Sequence, residues 1–348
     1  MKILILGCGR ILNKHLDSIK KIKKYSLVGI CDIDKKKVTD VSKKLKVPGF
    51  VNFNKSIKDT APDIVSILTP SGLHAEHIIE ALNNNLNVIV EKPMCLKISD
   101  GKKIISLARR VNKRVFVVMQ NKFNLAVEKL RKDINKNFFG RIFHASVIVR
   151  WHRDSSYYSQ ANWRGTWKFD GGVISNQASH HIDLLRTIMG DPISVFAKSY
   201  NHLARIEAED TALVILNFKN KKSAVMELTT AVRPQDIEGS ISIMGSNGSA
   251  KIGGFALNKI SYYNIEKKKL QSKKKFNTQP KNVYGYGHLK FYEHVYKYLK
   301  SNLKSEFECI YAIQTIKLIN GIYKSIENNK EIFFNKNIVS AKLGIYEK

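Results

Sequence analysis

The sequence of 348 residues contains few cysteines, and their spacing excludes two common uses of this residue. Cys8, Cys31, Cys95 and Cys309 are the only four, and no two of them form a C-x-x-C pair. This arrangement argues against a zinc ribbon and against a framework of disulfide bonds. We therefore expect reduced thiols in a reducing compartment, and no structural metal.

Long apolar runs are also missing. No stretch approaches the run of about 18 apolar residues that a membrane-spanning helix needs. The N-terminal run ends at Gly7, which is too early for a secretory signal peptide. We expect a cytoplasmic protein that has no membrane partner.

Acidic residues are scarce relative to basic ones. The chain has 59 Lys and Arg against 29 Asp and Glu, a net charge of +30. Such a charge attracts nucleic acids, anionic membranes and phosphorylated metabolites. The lysines are spread along the chain, however, and no zinc-finger spacing, RNP-like strand or recognition helix accompanies them. The pattern favours a solvated basic surface, and we expect no nucleic-acid partner.

Two kinds of hydrophobic period predict two domains, consistent with a length of roughly 150 residues per domain. The first part alternates helical periods with continuous apolar runs, which is typical of parallel strands buried on both faces. These runs are Lys2 to Leu6, Ser26 to Cys31, Ile64 to Leu68, Asn87 to Val90 and Arg114 to Val118. Later strands alternate with a period of two, which indicates antiparallel pairing. They are Ile142 to Val149, Val195 to Tyr200, Thr211 to Phe218, Ser223 to Ala231 and Ser240 to Met244.

A glycine turn follows the first predicted strand and begins a helix. Gly7 permits a tight turn, and Gly9 lets backbone amides approach a pyrophosphate at the helix N-terminus. Arg10 and Ile11 follow, and Leu12 occupies the third position of the fingerprint, where glycine or alanine is usual. The turn predicts a dinucleotide-binding domain that begins at the first residue.

Asp32 ends the second predicted strand, where an acidic side chain would accept hydrogen bonds from both ribose hydroxyls. A carboxylate at this position repels a 2′-phosphate, so NAD is favoured over NADP. The run Lys35 to Lys37 argues the other way, but we expect those side chains to point to solvent. The alternative is that Asp32 only caps the next helix.

Two further loops follow predicted strands at the sheet edge where ligands bind in open α/β folds. One carries Thr69, Pro70, Ser71 and His74, and the other is the tripeptide Glu91-Lys92-Pro93. A lysine held beside a cofactor can lower the pKa of an alcohol or carry its proton. The alternative is that Lys92 is one surface lysine among many.

Four motifs together resemble a known family. Gly-x-Gly-Arg-Ile, Thr-Pro-Ser-Gly-Leu-His, Glu-Lys-Pro and Gly-Gly-x-Ile-x-Asn-Gln-x-x-His-x-Ile-Asp occur here in the order and spacing of the Gfo/Idh/MocA oxidoreductases. The resemblance covers essentially the whole chain. It implies an α/β Rossmann domain with a parallel sheet, placed at residues 1–122, and NAD as cofactor. An α+β domain with a large open, mostly antiparallel sheet follows at 123–348, its C-terminal helices returning to the first domain. The resemblance also implies a homo-oligomer, a dimer or a tetramer.

The resemblance further implies the catalytic residues. In the family, a helix start carries an Asp and, four residues later, a His, which work with the lysine of Glu-Lys-Pro. The matching positions here are Asn176 and His180, and asparagine cannot act as a base. We expect His180 to be the general base and Lys92 to orient the substrate electrostatically, while Asn176 binds a sugar hydroxyl. His181 points elsewhere on the helix and is expected to be structural.

One segment resembles a subgroup of the family. Residues 150–177, rich in Arg, Trp and Tyr, and the stretch Val283 to His288 are similar to the WlbA/WbpB-type dehydrogenases. That subgroup oxidises C3 of UDP-N-acetylglucosaminuronic acid (UDP-GlcNAcA) in the synthesis of bacterial surface polysaccharides. Arg164 is the expected clamp for the sugar carboxylate, and Trp163 is expected to border the nicotinamide. The alternative is that these aromatic residues only pack the domain junction.

The predicted site follows from these motifs. Cofactor contacts are expected from Gly7, Gly9, Arg10, Ile11, Asp32, Thr69, Pro70, Ser71, His74, Glu91, Lys92, Gln120 and Trp163. Substrate contacts are expected from Lys92, Arg164, Asn176, Gln177, His180, Tyr158 and Tyr284. Two other functions stay open: an NAD-dependent dehydrogenase of a free polyol such as an inositol, and a non-catalytic NAD-binding regulatory or nucleic-acid-binding protein.

Overall fold

A computed structural model describes residues 1–266, 272–280, 284–301, 303–335 and 338–345. The chain forms two compact units. The first unit combines Met1–Met119 with His288–Ile313, and the second combines Gln120–Gly287 with Gln314–Lys348. The C-terminal part of the chain is therefore divided between the two units.

Parallel strands form the centre of the first unit. They are β1 (Lys2–Leu6), β2 (Ser26–Cys31), β3 (Gly49–Phe50), β4 (Ile64–Ile67), β5 (Asn87–Val90) and β6 (Val115–Val117). Over the described residues they make one sheet in the order β3-β2-β1-β4-β5-β6, and every neighbouring pair is parallel. This is the doubly wound order of a Rossmann domain, so the predicted parallel sheet is confirmed.

The helices lie between the strands and beyond them. They are α1 (Leu12–Lys21), α2 (Lys35–Leu45), α3 (Phe53–Thr60), α4 (His74–Asn83), α5 (Ile98–Arg110), α6 (Leu125–Asn135), α7 (Ser155–Ser159), α8 (Ser179–Met189), α9 (Gly287–Leu299) and α10 (Cys309–Asn328). In α4, for example, Ala75, Ile78 and Leu82 form a buried apolar stripe with helical spacing. No helix in the described ranges is long and apolar enough to cross a membrane.

The second unit is organised around a larger sheet. Its strands are β7 (Ile142–Arg150), β8 (Ser194–Tyr200), β9 (Thr211–Phe218), β10 (Lys222–Thr229), β11 (Glu238–Gly245), β12 (Gly248–Gly253), β13 (Lys259–Ile265) and β14 (Ile332–Phe333). Among the described residues the order is β13-β12-β11-β7-β10-β9-β8-β14. Only β7 and β10 pair in parallel there, so the prediction of a mostly antiparallel sheet is confirmed.

The two faces of this sheet differ in exposure. Along β9, Val214 and Leu216 are buried, whereas Leu213 and Ile215 are 49% and 50% exposed. Alternate side chains of a strand point to opposite faces, so one face carries the core and the other presents apolar side chains to solvent. Helix α8 packs against β7 and β11. The core of the second unit therefore positions the start of α8, where the predicted His180 lies.

Candidate active site

The glycine turn joins β1 to α1 as predicted. Gly7 has a φ of +108°, and a Cβ atom there would lie 2.8 Å from the carbonyl carbon and oxygen of Leu68, so only glycine fits. Apart from Gly9 and its two chain neighbours, no atom of the described residues lies within 4 Å of the place where a Cβ of Gly9 would be. Ile11 precedes the first residue of α1, Leu12, whose side chain is buried. An open glycine at a helix N-terminus suits the pyrophosphate of a dinucleotide.

The Asp32 carboxylate lies at the end of β2, beside this turn. One carboxylate oxygen accepts a hydrogen bond from the amide of Cys8 at 2.6 Å, and the other accepts from the amide of Asp34 at 2.9 Å. The residue that caps α2 is Asp34, whose side chain accepts from the amide of Lys37. The alternative of Asp32 as a simple helix cap is therefore wrong. The side chains of Lys35–Lys37 are exposed, as expected.

His74 connects the two loops that follow β4 and β5. Its Nδ1 lies 2.7 Å from the carbonyl oxygen of Pro93, and its Nε2 lies 2.8 Å from that of Thr69. Burial lowers the pKa of the ring, although both carbonyl groups oppose this shift. Next to it, Pro70 precedes a short 3-10 turn in which Ser71 is buried. The ring of His74 therefore holds the two predicted loops together.

Glu91 directly follows β5 and is largely buried. Its carboxylate contacts His15 Nε2 at 3.0 Å, and it accepts from the main-chain amide of Lys92 at 3.2 Å. His288 Nε2 lies 3.7 Å from the same carboxylate. The motif analysis did not find His15, which is distant in sequence from Glu91 and lies in no recognised motif. It included His288 only as the last residue of the Val283 to His288 stretch and gave it no role.

In the second unit, Arg164 is held between aromatic rings. Its guanidinium lies 4.4 Å from the ring centroid of Tyr157 and 4.7 Å from that of Trp163, and it donates a hydrogen bond to the Tyr157 hydroxyl at 2.5 Å. The Tyr158 hydroxyl instead makes a hydrogen bond with Thr230 at 3.1 Å. Tyr157, which sequence reasoning did not single out, is thus the aromatic residue that orients Arg164.

Asp170 connects the Arg164 loop to the turn before α8. One of its carboxylate oxygens accepts from the amide of Gly165 at 2.9 Å, and the other accepts from the side-chain amide of Asn176 at 2.7 Å. The carboxylate therefore fixes the orientation of the Asn176 amide. Asp170 belongs to the Asp-Gly-Gly sequence that precedes the helix, and that position could have indicated its role.

Helix α8 carries His180 and, three residues later in the chain, the acidic member of a buried ion pair. His180 is the second residue of α8 and only 9% exposed. Asp183, one turn further on, pairs with Lys122 Nζ at 2.8 Å and accepts from the Thr315 hydroxyl at 2.7 Å. Burial alone would raise the pKa of Asp183, but the ammonium of Lys122 holds it below its usual value. Sequence reasoning missed Lys122, which contacts the helix only through the tertiary fold.

Three predicted site residues carry buried polar atoms that have no hydrogen-bond partner in the described part of the chain. These atoms are Oε1 of Gln120, Nε of Arg164 and Oε1 of Gln177. An unpaired buried polar group costs about 1–3 kcal/mol, and a polar ligand that pairs with it relieves this cost. All three atoms lie in the second unit, so this unit offers polar groups to a ligand.

The remaining predicted residues have less specific surroundings. Arg10 is exposed in the glycine turn. Tyr284 is half-buried and lies near Tyr157, whose pKa is raised by burial and to a smaller extent by Tyr284. Val283, part of the motif that contains Tyr284, lies outside the described residues. His181 packs edge-on against Trp151, and burial lowers its pKa to about 4. This environment agrees with a structural His181.

The fold and the glycine turn define an NAD-dependent oxidoreductase. The family model "Oxidoreductase family, NAD-binding Rossmann fold" matches residues 1–119, and "Oxidoreductase family, C-terminal alpha/beta domain" matches residues 131–333. The chain belongs to the Gfo/Idh/MocA oxidoreductase family. The resemblance seen in the sequence motifs and the prediction of NAD are thereby confirmed.

The relatives of this chain differ in sequence identity and in the share of their length that the chain covers. The WlbA dehydrogenase from Bordetella pertussis, crystallised with NADH and UDP-GlcNAcA, is 32% identical with a TM-score of 0.93, covering 97% of this chain and 98% of that one. The myo-inositol 2-dehydrogenase of Thermotoga maritima is 25% identical over 71% of this chain and 74% of its own length. The putative oxidoreductase YteT of Bacillus subtilis is 28% identical over 50% of this chain, which spans only 42% of YteT.

The charge of Asp32 gives a testable prediction about cofactor choice. Asp32→Asn keeps an oxygen that can accept from the Cys8 amide but removes the repulsion of a 2′-phosphate. We expect the ratio of the NADPH and NADH dissociation constants, measured by fluorescence titration, to fall at least about tenfold, which corresponds to about 1.4 kcal/mol. Asp34→Asn, which removes a neighbouring charge but keeps a good helix cap, is the control. An equal effect of both variants would contradict the prediction.

Proposed function

We propose that this oxidoreductase uses NAD⁺ to oxidise the C3 hydroxyl of a UDP-linked N-acetylhexosaminuronic acid to the 3-keto sugar. The reaction would belong to the synthesis of bacterial surface polysaccharides such as O-antigen. We place it in the cytoplasm, a setting that the four buried, free cysteines support. The similarity to WlbA over nearly the full length of both chains also supports the proposal.

The environment of Arg164 is the observation that carries the substrate class. Tyr157 and Trp163 hold the guanidinium plane, while its buried Nε has no partner among the residues described. A carboxylate is the ligand that a planar, oriented guanidinium binds best, because two parallel hydrogen bonds form with opposite charges. A uronic acid offers such a carboxylate, whereas a neutral hexose or a polyol does not.

The reaction requires a hydride acceptor and a base. NAD⁺, when bound, supplies the hydride acceptor at C4 of the nicotinamide. His180 takes the proton of the 3-hydroxyl as C3 loses its hydride, and Lys92 stabilises the developing charge on the oxygen. Asn176, oriented by Asp170, binds another sugar hydroxyl. An imidazole suits the role of base because its usual pKa lies near neutral pH.

A free polyol such as an inositol is the second candidate substrate. The similarity to the myo-inositol 2-dehydrogenase of Thermotoga maritima favours it. This alternative predicts turnover without a UDP group and no dependence on a carboxylate. The Arg164 experiment below separates the two candidates.

The outer face of the large sheet supports a homo-oligomer. Leu213, Ile215 and Val225 on β9 and β10 are between 42% and 50% exposed and lie on this face. They are neighbours across the β9–β10 pair, where Ile215 is directly opposite Val225. A contiguous apolar patch of this kind is typical of a surface that another protein covers. We infer that a second copy of the chain covers it, in a dimer or tetramer.

The substrate assignment can be tested with NAD⁺ and a panel consisting of UDP-GlcNAcA, UDP-GlcNAc and free myo-inositol. We expect NADH formation, followed by absorbance, to be fastest with the uronic acid. Arg164→Met should raise the KM for UDP-GlcNAcA by about 10- to 100-fold, because one charge-assisted hydrogen bond to the carboxylate is lost. Arg153→Met is the matched control, since Arg153 also stacks on Tyr157 but is paired with Asp236. Turnover of myo-inositol alone, or equal effects of both variants, would refute the assignment.

The assignment of the base can be tested separately. His180→Ala should lower kcat by about 10²- to 10⁴-fold, because the proton of the hydroxyl loses its acceptor. NADH affinity should stay unchanged. His181→Gln, in the next residue, should lower kcat much less, since His181 is packed in the core. Near-normal turnover by His180→Ala would show that another group is the base.

The oligomer proposal predicts that Ile215→Asp dissociates the protein. A carboxylate placed in a buried apolar interface loses its hydration without gaining a partner. Sedimentation equilibrium should show a smaller species at the same protein concentration. Ile33→Asp, at a residue 94% exposed in the other unit, should leave the mass unchanged. If the Ile215→Asp protein keeps the mass of the unchanged protein, the outer face of the large sheet is not the interface between copies of the chain.

A further inference from the structure

A chain of buried hydrogen bonds in the first unit ends at the main-chain amide of Lys92. The Ser66 hydroxyl lies 2.9 Å from the Tyr292 hydroxyl, which lies 2.7 Å from His15 Nδ1. His15 Nε2 lies 3.0 Å from Oε1 of Glu91, and Oε2 of Glu91 accepts from the Lys92 amide at 3.2 Å. Ser66, Tyr292 and His15 are completely buried.

Four elements supply these side chains. His15 lies on α1, just after the glycine turn, and Ser66 lies on the central strand β4. Glu91 follows β5, which pairs with β4, and Tyr292 comes from α9 near the other end of the chain. The motif analysis attributes no role to Ser66, His15 or Tyr292.

One arrangement of protons satisfies the whole chain. A carboxylate only accepts hydrogen bonds, so His15 donates to Glu91 from Nε2, and a neutral His15 ring then accepts at Nδ1. Tyr292 then donates to Nδ1 and accepts from Ser66. Burial lowers the pKa of His15, which keeps its ring neutral with a single proton. The Tyr292 hydroxyl therefore selects the tautomer of His15 that donates to Glu91.

Glu91 is ionised in this environment. Burial alone would raise its pKa, but the hydrogen bond from His15 and the nearby ring of His288 hold the pKa well below its usual range. His288 packs edge-on against His15, with ring centroids 5.2 Å apart. Nitrogen and oxygen donors of His15, Glu91 and His288 also lie within 4.8 Å of one another, a spacing that a metal ion could use.

We propose that Ser66, Tyr292 and His15 are positioning residues that keep Glu91 as a carboxylate directed at the Lys92 amide, and so fix the backbone from which Lys92 reaches the substrate. The inference rests on the catalytic role proposed for Lys92. A small displacement of a catalytic group can lower the rate by up to about 100-fold, so residues that hold the backbone of Lys92 in place preserve the rate. The chain acts only through hydrogen bonds and involves no covalent step.

Tyr292→Phe removes one hydroxyl from the chain and tests the proposal. Without that donor, the tautomer preference of His15 is lost and Glu91 is held less firmly as a carboxylate. We expect kcat to fall about tenfold with little change in KM, consistent with the loss of about 1.4 kcal/mol of orientation. Protonation of Glu91 should then add a second step to the acid limb of the kcat profile, below the step that the base His180 sets. The conservative His15→Gln, which can donate from its amide, should retain more activity than His15→Leu.

Tyr25→Phe is the matched control. The Tyr25 hydroxyl is also buried and donates to the carbonyl oxygen of the same Tyr292, at 3.0 Å, but it is not part of the chain. Both variants lose one buried hydroxyl, so thermal unfolding should report similar losses of stability. Only Tyr292→Phe should change kcat and the pH profile. If both variants, or neither, change them, a positioning role is overturned.

A readout that needs no substrate separates this inference from the proposed function. Carboxyl ¹³C NMR of labelled glutamate, assigned with Glu91→Gln, follows the ionisation of Glu91 against pH. We expect Glu91 to remain ionised below the usual range of a glutamate, and to become protonated at higher pH in Tyr292→Phe. An unchanged Glu91 titration in Tyr292→Phe would overturn the inference even if UDP-GlcNAcA is the substrate. Stoichiometric bound metal, with activity lost on chelation and regained with zinc, would also overturn it.

Discussion

Parallel pairing of β1, β2, β4 and β5 aligns the carboxyl ends of these strands along one edge of the first sheet, and the loops predicted to bind the cofactor depend on this alignment. The glycine turn follows β1, Asp32 follows β2, the Thr69 loop follows β4, and Glu91 follows β5. Each of these predicted site residues therefore lies in the loop directly after a buried strand. Because the strands are rigid and buried on both faces, they hold these loops in register.

Loops at a sheet edge still need side chains that connect them, and this protein uses buried polar groups for that purpose. Asp32 binds the turn that contains Cys8, and His74 joins the loop of Thr69 to that of Pro93. In the second unit, Asp170 has the same function between Gly165 and Asn176. Each group makes close polar contacts with its neighbours, which offsets the cost of removing it from water. In a chain with so few acidic residues, several of them serve to hold loops together.

Strand prediction succeeded where burial imposes a strong pattern. The predicted bounds of β1, β2, β5 and β9 equal those of the structure, since each is a continuous or strictly alternating apolar segment. Strands β3 and β14 have two residues each and carry too little pattern to detect. Strands β12 and β13 were missed as well. They contain Gly, Ser, Lys and Tyr, and they pair because β11 presents a free edge to β12.

The sequence by itself determined the family, the cofactor and the identity of the motif residues, because glycine turns and strand-end loops use residues adjacent in the chain. The tertiary structure alone decided which side chains support them. Tyr292 reaches His15 across 277 positions, and Thr315 reaches Asp183 across 132. No local pattern encodes such pairs, since a hydrogen bond is decided by the position of two atoms in space. Folding brings α9 next to β4 and α1, and only there do Ser66, Tyr292 and His15 form one connected chain that ends at Lys92.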